Sequence, residues 1–231
     1  MKIRGIVFLA ATCGTLSGCV PVYVPNTIDA PLLRNAGEVR IAGNAGTTGL
    51  DVQSAVAVSD AIAIMANGSF GSKSTSDSLD YNVHNYLEAG LGYYMPITKG
   101  SSFEMFVGAG SGKATSSDAW RGTPSSQLLA TGWYNRYFLQ MDVGAYNEFA
   151  SGGFAMRASY VHFRRIEGGS GYVSTNLDGL FAEPVLFASL GGPLIRFTGQ
   201  MGVSFPLSDH IRFQWMPFIL NFGVEININR K

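Results

Sequence analysis

The first group able to do chemistry is the thiol of Cys19, which follows a short stretch of small residues near the start of the chain. Before it come the positive charges of Lys2 and Arg4 and an apolar run at residues 6–11, which are the parts of a secretory signal. Cleavage before Cys19 would leave it as the single cysteine of the mature chain, because Cys13 departs with the signal. This excludes an intramolecular disulfide and metal sites built from several thiolates.

The tetrapeptide Leu16-Ser17-Gly18-Cys19 resembles the lipobox of bacterial lipoproteins. The resemblance implies that signal peptidase II cleaves before Cys19 and that its thiol and new amino group are acylated, palmitate being a typical acyl chain. Two or more acyl chains anchor a protein stably, whereas one chain binds only marginally. The covalent lipid is the only cofactor expected, and no metal is expected. The alternative is an ordinary signal peptide followed by a chance cysteine.

Three histidines are the remaining candidates for acid–base chemistry. His210 follows Asp209 in a predicted outer loop, an arrangement similar to barrel enzymes that use Asp and His at the rim. His84 and His162 have no neighbour in sequence that would complete a base and nucleophile pair. We therefore expect a protein that is not an enzyme, and a rim hydrolase using Asp209 and His210 is the less favoured alternative.

Eight charged residues on the polar faces of predicted strands form a second group. They are Glu88, Glu104, Arg136, Asp142, Arg157, Glu183, Arg196 and Arg212. Placed inside a narrow barrel, the carboxylates and guanidinium groups can pair, and the abundant glycines leave room for them. We expect this lumen charge network to act as a structural plug, because a barrel of about ten strands is little wider than the eight-stranded barrels that side chains fill. A path for protons or small solutes is the alternative.

Composition limits what kind of fold could position these groups. Charged residues make up 14% of the 231-residue chain, against about 25% in soluble globular proteins. Fourteen Lys and Arg face sixteen Asp and Glu once the signal is removed, which argues against a nucleic-acid partner. The mature chain holds no run of eighteen apolar residues, so no spanning helix is expected. If the chain spans a bilayer, it must do so as a closed barrel.

Hydrophobic residues alternate with polar ones almost throughout the chain after Glu38. In the last predicted strand Phe222, Val224 and Ile226 share one face, while Gly223 and Glu225 share the other. The same pattern predicts about ten strands, near residues 38–46, 49–58, 61–71, 84–96, 102–114, 131–147, 153–166, 180–191, 194–206 and 217–229. Short connections alternate with longer ones at residues 72–83, 115–130, 167–179 and 207–216, which is typical of outer-membrane barrels. Only the first hairpin, at residues 46–48, departs from this scheme, because it is short where a long loop is due.

The polar face decides which side of the barrel faces water. It is mostly Gly, Ser, Thr and Gln, and the mature chain has only four lysines, so it lacks the charged cover that a soluble barrel needs. The chain resembles the class of small Gram-negative outer-membrane β-barrel proteins over about residues 38–229. That resemblance implies an all-β, single antiparallel up-and-down transmembrane barrel of about ten strands, with eight to twelve possible.

Three segments follow from this interpretation. Residues 1–18 are the cleaved signal peptide, 19–37 a proline-punctuated lipidated tether, and 38–231 the barrel. We expect an outer-membrane location with anchorage through Cys19 and both chain ends in the periplasm, because an even strand number returns the chain to its starting side. The expected partners are outer-membrane lipids and the barrel-assembly and lipoprotein-sorting machineries.

Four functions are compatible with these features. The leading one is a non-enzymatic outer-membrane lipoprotein with a structural role or a binding role carried by its longer loops. The others are a narrow transport pore, a periplasmic lipid-tethered soluble barrel that binds an apolar ligand, and the rim hydrolase.

Overall fold

A computed structural model describes residues 21–74, 81–117, 129–168 and 173–228. Residues 1–20, which include the signal peptide, the lipobox and Cys19, lie outside this part. The described residues are built from strands and connections, and they contain no helix long and apolar enough to cross a membrane. The strands are β1 (Val39–Gly46), β2 (Gly49–Ala57), β3 (Ile62–Ser74), β4 (Tyr81–Thr98), β5 (Ser101–Ser116), β6 (Ala130–Tyr146), β7 (Ala150–Gly168), β8 (Val173–Gly191), β9 (Ile195–Val203), β10 (Phe205–Pro206) and β11 (Phe218–Ile228).

The strands form a closed antiparallel barrel. Each of β1 to β8 pairs with the next strand along the chain, β9 also pairs with β11, and β11 pairs with β1 to close the sheet. The two-residue β10 continues the line of β9 and pairs with β8. The wall is therefore ten-stranded, as the alternation predicted, and it closes where β1 pairs with β11. Closure of this kind is how a β-sheet satisfies its backbone groups in a bilayer.

The apolar face of the barrel points outward. Leu87 and Phe222 are each 63% exposed and Phe197 is 70% exposed, whereas Glu88 and Glu225 on the opposite face are buried. This confirms the outer-membrane type of barrel, in which apolar residues face lipid and polar residues face the lumen. It also shows that the soluble barrel with an apolar core is wrong, because that fold requires the opposite arrangement.

The wall is higher on one side than on the other. Strands β4 to β8 have 16 to 19 residues, while β1, β2 and β9 have 8 or 9. Strand β8 begins at Val173 rather than near residue 180, because its first residues pair with β7 beyond the part of β8 that meets β9. We name the two openings by their connections: the short-turn end carries the turns after β2, β4, β6 and β8, and the long-loop end carries the connections after β3, β5, β7 and β10.

Glycines on the inner face make space for large lumen side chains. A Cβ atom added at Gly92 would lie 2.1 Å from the ring of Phe106, and one at Gly110 would lie 2.1 Å from the hydroxyl of Tyr86. Close packing leaves no room for such overlap. The interior of the barrel is consequently filled by aromatic and long polar side chains.

Candidate functional site

Residues 21–33, which we term the plug, cross the interior of the barrel from one end to the other. All thirteen are buried. The carbonyl of Pro21 accepts a hydrogen bond from Asn82 Nδ2 (2.6 Å) at the long-loop end, and the carbonyl of Leu33 accepts one from Ser102 Oγ (3.1 Å) near the short-turn end. The prediction of a free tether over residues 19–37 is wrong for this segment. The sequence predicts that the N-terminal side of the chain meets the barrel at the short-turn end, whereas Pro21, the first described residue, lies at the long-loop end.

The composition of the plug explains why it resembled a linker. Pro21, Pro25 and Pro31 have no backbone N–H, which lowers the number of donors that must find partners away from water. An extended chain inside a barrel is enclosed on every side, so its apolar and polar residues need not alternate as those of a strand do. Proline spacing and missing alternation are also the features of a solvated tether, and the sequence alone does not separate the two.

Glutamine side chains of the wall take the place of a neighbouring strand for the middle of the plug. Three of them donate to three successive plug carbonyls: Gln53 Nε2 to Thr27 (2.9 Å), Gln200 Nε2 to Ile28, and Gln140 Nε2 to Asp29 (2.6 Å). The Oε1 atom of Gln200 also accepts the N–H of Ile28 (3.1 Å). Because an unpaired buried backbone group is costly, these bonds are what allow an irregular segment to lie in the lumen.

Carboxylates of the wall hold the plug at two further points. Glu104 accepts the N–H groups of Leu32 (2.9 Å) and Leu33 (2.6 Å), and Asp51 accepts the N–H of Thr27 (2.9 Å). Hydrogen bonds to charged acceptors are stronger than those between neutral groups. Glu104, predicted as a lumen charge, therefore acts on the backbone of the plug and not on an arginine.

The centre of the lumen holds an ion-pair cluster made of wall and plug residues. Glu88 lies 2.5 Å from Arg136 Nη2 and 3.5 Å from Arg157 Nη1, and all three side chains are almost completely buried. Asn26 of the plug donates to Glu88 (3.0 Å), and its Oδ1 atom accepts from Arg157 (3.0 Å) and from Arg136. Three of the predicted network residues thus meet, and a plug side chain completes their hydrogen bonding.

A second buried cluster was missed by the sequence analysis. Arg40 of β1 pairs with Asp29 of the plug and, through Nε, with Glu225 of β11 (2.9 Å). Arg40 and Glu225 become neighbours because β1 pairs with β11 on closure of the barrel. Asp29, the single charged residue among residues 21–33, was the one available signal.

The other predicted network residues have separate environments. Asp142 is buried directly across the β5–β6 pairing from Glu104, and Glu183 accepts from the hydroxyl of Tyr23 in the plug (2.9 Å). Arg196 is buried but donates to turn carbonyls at the short-turn end, including that of Asn147 (2.8 Å). Arg212 is exposed in the segment before β11, so its assignment to the lumen is wrong. That segment is not part of an alternating strand, so the two-residue period cannot show whether the side chain of Arg212 faces the lumen.

The long-loop end of the lumen is closed by an aromatic cluster. Tyr23 of the plug contacts Tyr134 and Phe181 with ring centroids 6.0 and 4.9 Å apart. Its backbone forms a short parallel bridge with the segment before β11, in which the N–H of Tyr23 donates to Gln214 (3.1 Å). Phe213 of that same segment is fully buried against the cluster. The loop predicted to face outward is therefore partly folded over the plug.

The histidines do not form a reaction site with these groups. His84 is buried, with Nε2 lying 3.0 Å from the carbonyl oxygen of Thr48, and His210 is exposed beside Asp209. His162 faces outward, and its Nδ1 atom lies 2.6 Å from Asp178, a pair formed across β7 and β8 that sequence spacing did not suggest. Within the described residues no three His, Cys, Asp or Glu side chains are grouped as metal ligands. The arrangement as a whole can hold a chain segment in place.

Comparison with known proteins gives little beyond the fold. No protein-family model matches the sequence, and no curated protein matches it. Among solved structures the chain is similar to LpxR from Salmonella typhimurium, with a TM-score of 0.38 and 9% sequence identity. The alignment covers 83% of this chain and 99% of that one. No residue role is transferred from this similarity.

Proposed function

We propose that this protein is a non-enzymatic outer-membrane lipoprotein whose barrel is closed by its own N-terminal segment. In this proposal acyl chains on Cys19, palmitate among them, and the apolar outer face hold it in the membrane, and the longer loops supply its binding surface. Outer-membrane lipids and the barrel-assembly and lipoprotein-sorting machineries are its general partners. The observation that carries the proposal is the complete burial of residues 21–33 in the lumen.

The contacts of the plug support a permanent stopper more than a transient one. Its Asn26 completes the hydrogen bonding of Arg136 and Arg157, and its Asp29 pairs with Arg40. Removing the plug would leave these guanidinium groups short of partners in the lumen, which is costly for buried charges. A narrow pore is the second candidate, because the same charges would line a channel if the plug were absent.

Ion conductance across a planar bilayer separates the two candidates. We expect the wild-type protein to be silent, and a variant in which residues 21–33 are replaced by Gly and Ser at the same length to open channels, because it loses side-chain bulk and hydrogen bonds together. A matched control replaces residues 118–128, which join β5 to β6, in the same way and is expected to stay silent. Retarded migration of unheated samples on gels checks that each barrel is folded.

Two results would overturn the proposal. Steady conductance of the wild-type protein that changes in ion selectivity with Arg157→Ala would identify a pore. A folded Gly/Ser variant that remains silent would show that the plug is not what closes the lumen.

A further inference from the structure

The plug has a direction, and this direction places the start of the chain. The plug begins at Pro21 beside Asn82, near the first residue of β4, and continues to Leu33 beside Ser102, near the first residue of β5. Strand β4 begins at the long-loop end, and β5 begins at the short-turn end. The chain therefore enters the barrel through the long-loop end and leaves through the short-turn end before it turns into β1.

The two ends of the described chain lie at opposite ends of the barrel. The last residue of β11, Ile228, pairs with Val39, the first residue of β1, and both lie at the short-turn end. If there were no plug, the even number of wall strands would place the N-terminal side at the short-turn end as well. The plug adds one more crossing and moves the N-terminal side to the long-loop end.

We propose that the protein is threaded through its own barrel, so that the acylated end of the chain emerges on the outer face of the membrane and its acyl chains occupy the outer leaflet. This inference rests on the proposed lipoprotein. Two residues of extended chain span at most about 7 Å, which is the reach between Pro21 and Cys19. The lipid is consequently held beside the rim of its own barrel at the long-loop end.

The contacts along the plug exclude an inner-leaflet lipid as long as the plug is seated. To reach the short-turn end, the chain before Pro21 would have to pass back through a lumen already occupied by residues 22–33. The other route withdraws the plug, which breaks the pairing of Asp29 with Arg40 and the bonds of Asn26 to Glu88 and the central arginines. The lipid and the buried ion pairs thus fix the plug at two separate places.

Thiol labelling in intact cells tests the threading. One variant carries a single cysteine inserted between Val20 and Pro21, and its matched control carries Ala36→Cys, an exposed position beyond the other end of the plug. Acylation consumes the thiol of Cys19, so each variant offers one free thiol. We expect a membrane-impermeant maleimide to label the inserted cysteine in intact cells and Ala36→Cys only after the outer membrane is permeabilised.

Incorporation of labelled palmitate, with Cys19→Ala as the negative control, is measured on the same strains. Palmitate incorporation together with labelling of the inserted cysteine only after permeabilisation would overturn the threading and leave the lipoprotein standing. If no palmitate is incorporated but the inserted cysteine is labelled at the surface, the protein is not a lipoprotein and has no lipid in the outer leaflet. The threaded path of the chain would still stand. Surface labelling of Ala36→Cys in protein that incorporates palmitate, whose Cys19 thiol is blocked, would show that the barrel orientation itself is reversed.

Discussion

The most heavily shared residue in the lumen is Glu88, which is surrounded by donors from the wall and the plug. Besides Arg136 and Arg157, it accepts hydrogen bonds from Asn67 Nδ2 (3.0 Å) and from the hydroxyl of Tyr86 (3.0 Å). Among the described residues, Glu88 is the carboxylate that forms salt bridges with both guanidinium groups at the centre of the barrel. A buried pair of this kind is costly to break because the remaining charge cannot be hydrated.

Glu88→Ala should lower the free energy of unfolding by about 3–5 kcal/mol, the range for removing one partner of a buried ion pair. Urea unfolding of the barrel in lipid vesicles measures the loss. The matched control is Glu167→Ala, which removes an exposed partner of Arg165 and should cost less than about 1 kcal/mol. Equal losses for the two variants would contradict the central role of Glu88.

The sequence predicted several of the charged residues that face the lumen, but it predicted only some of the pairs that they form. The period of two placed Glu88, Arg136 and Arg157 on the inner face, and the structure brings these three together. Arg40 and Asp29 were missed because their contact depends on a segment folding into the barrel. Residue type and period fix the face on which a side chain lies, whereas contacts between distant segments arise only on closure.

At the scale of elements, the plug is a strand-like segment without a strand neighbour. Its middle relies on amide side chains, and Gln200 alone serves both the N–H and the carbonyl of Ile28. An apolar replacement would leave both backbone groups buried without a partner. The position of the plug therefore depends on uncharged wall residues that bind its backbone, as well as on the ion pairs with its side chains.

Gln200→Leu should cost about 1–3 kcal/mol for each of the two orphaned groups. It should also speed hydrogen exchange of the amides at residues 27–29, because local opening of the plug becomes easier. Exchange measured by NMR or mass spectrometry on the protein in micelles tests this. Ser54→Ala, which removes a wall hydrogen bond to Ala66 on the outward face, is the control and should leave the exchange unchanged. Unchanged exchange in Gln200→Leu would contradict the role of the glutamine.

Strands were predictable because their signal is local, and the plug was not. The ten wall strands follow from alternation over eight or more residues, with the early start of β8 as the main difference. Residues 21–33 show no alternation, and their burial follows from the wall that surrounds them. A segment whose whole environment is supplied by other elements has no periodic signal of its own.

For the whole molecule, the apolar outer face sets where the protein resides. Large hydrophobic side chains such as Leu91, Val107 and Phe222 remain exposed although the barrel is fully closed. A monomeric soluble protein rarely leaves so continuous an apolar surface in contact with water. This surface fits the hydrocarbon of a bilayer.

Leu91→Arg, near the middle of β4, should therefore cost about 2–4 kcal/mol of folding free energy in a bilayer, as expected for an arginine at the midplane. Ile97→Arg, on the same face near the short-turn end, is the matched control and should cost about 0–1 kcal/mol, because the side chain can reach the headgroups. Urea titration in vesicles compares the two. A negligible cost at both positions would mean that this face does not contact lipid.

Threading makes the molecule resemble a lasso whose ring is shut by hydrogen bonds. The ring is the wall from β1 to β11, its clasp is the seam between Val39–Gly46 and residues 221–228, and the thread is the segment inside it. Because the acylated end proposed for this chain is too bulky to pass through the lumen, the clasp must fasten after the thread is in position. Assembly then has an obligatory order: the plug must be in position before β11 pairs with β1 and closes the barrel.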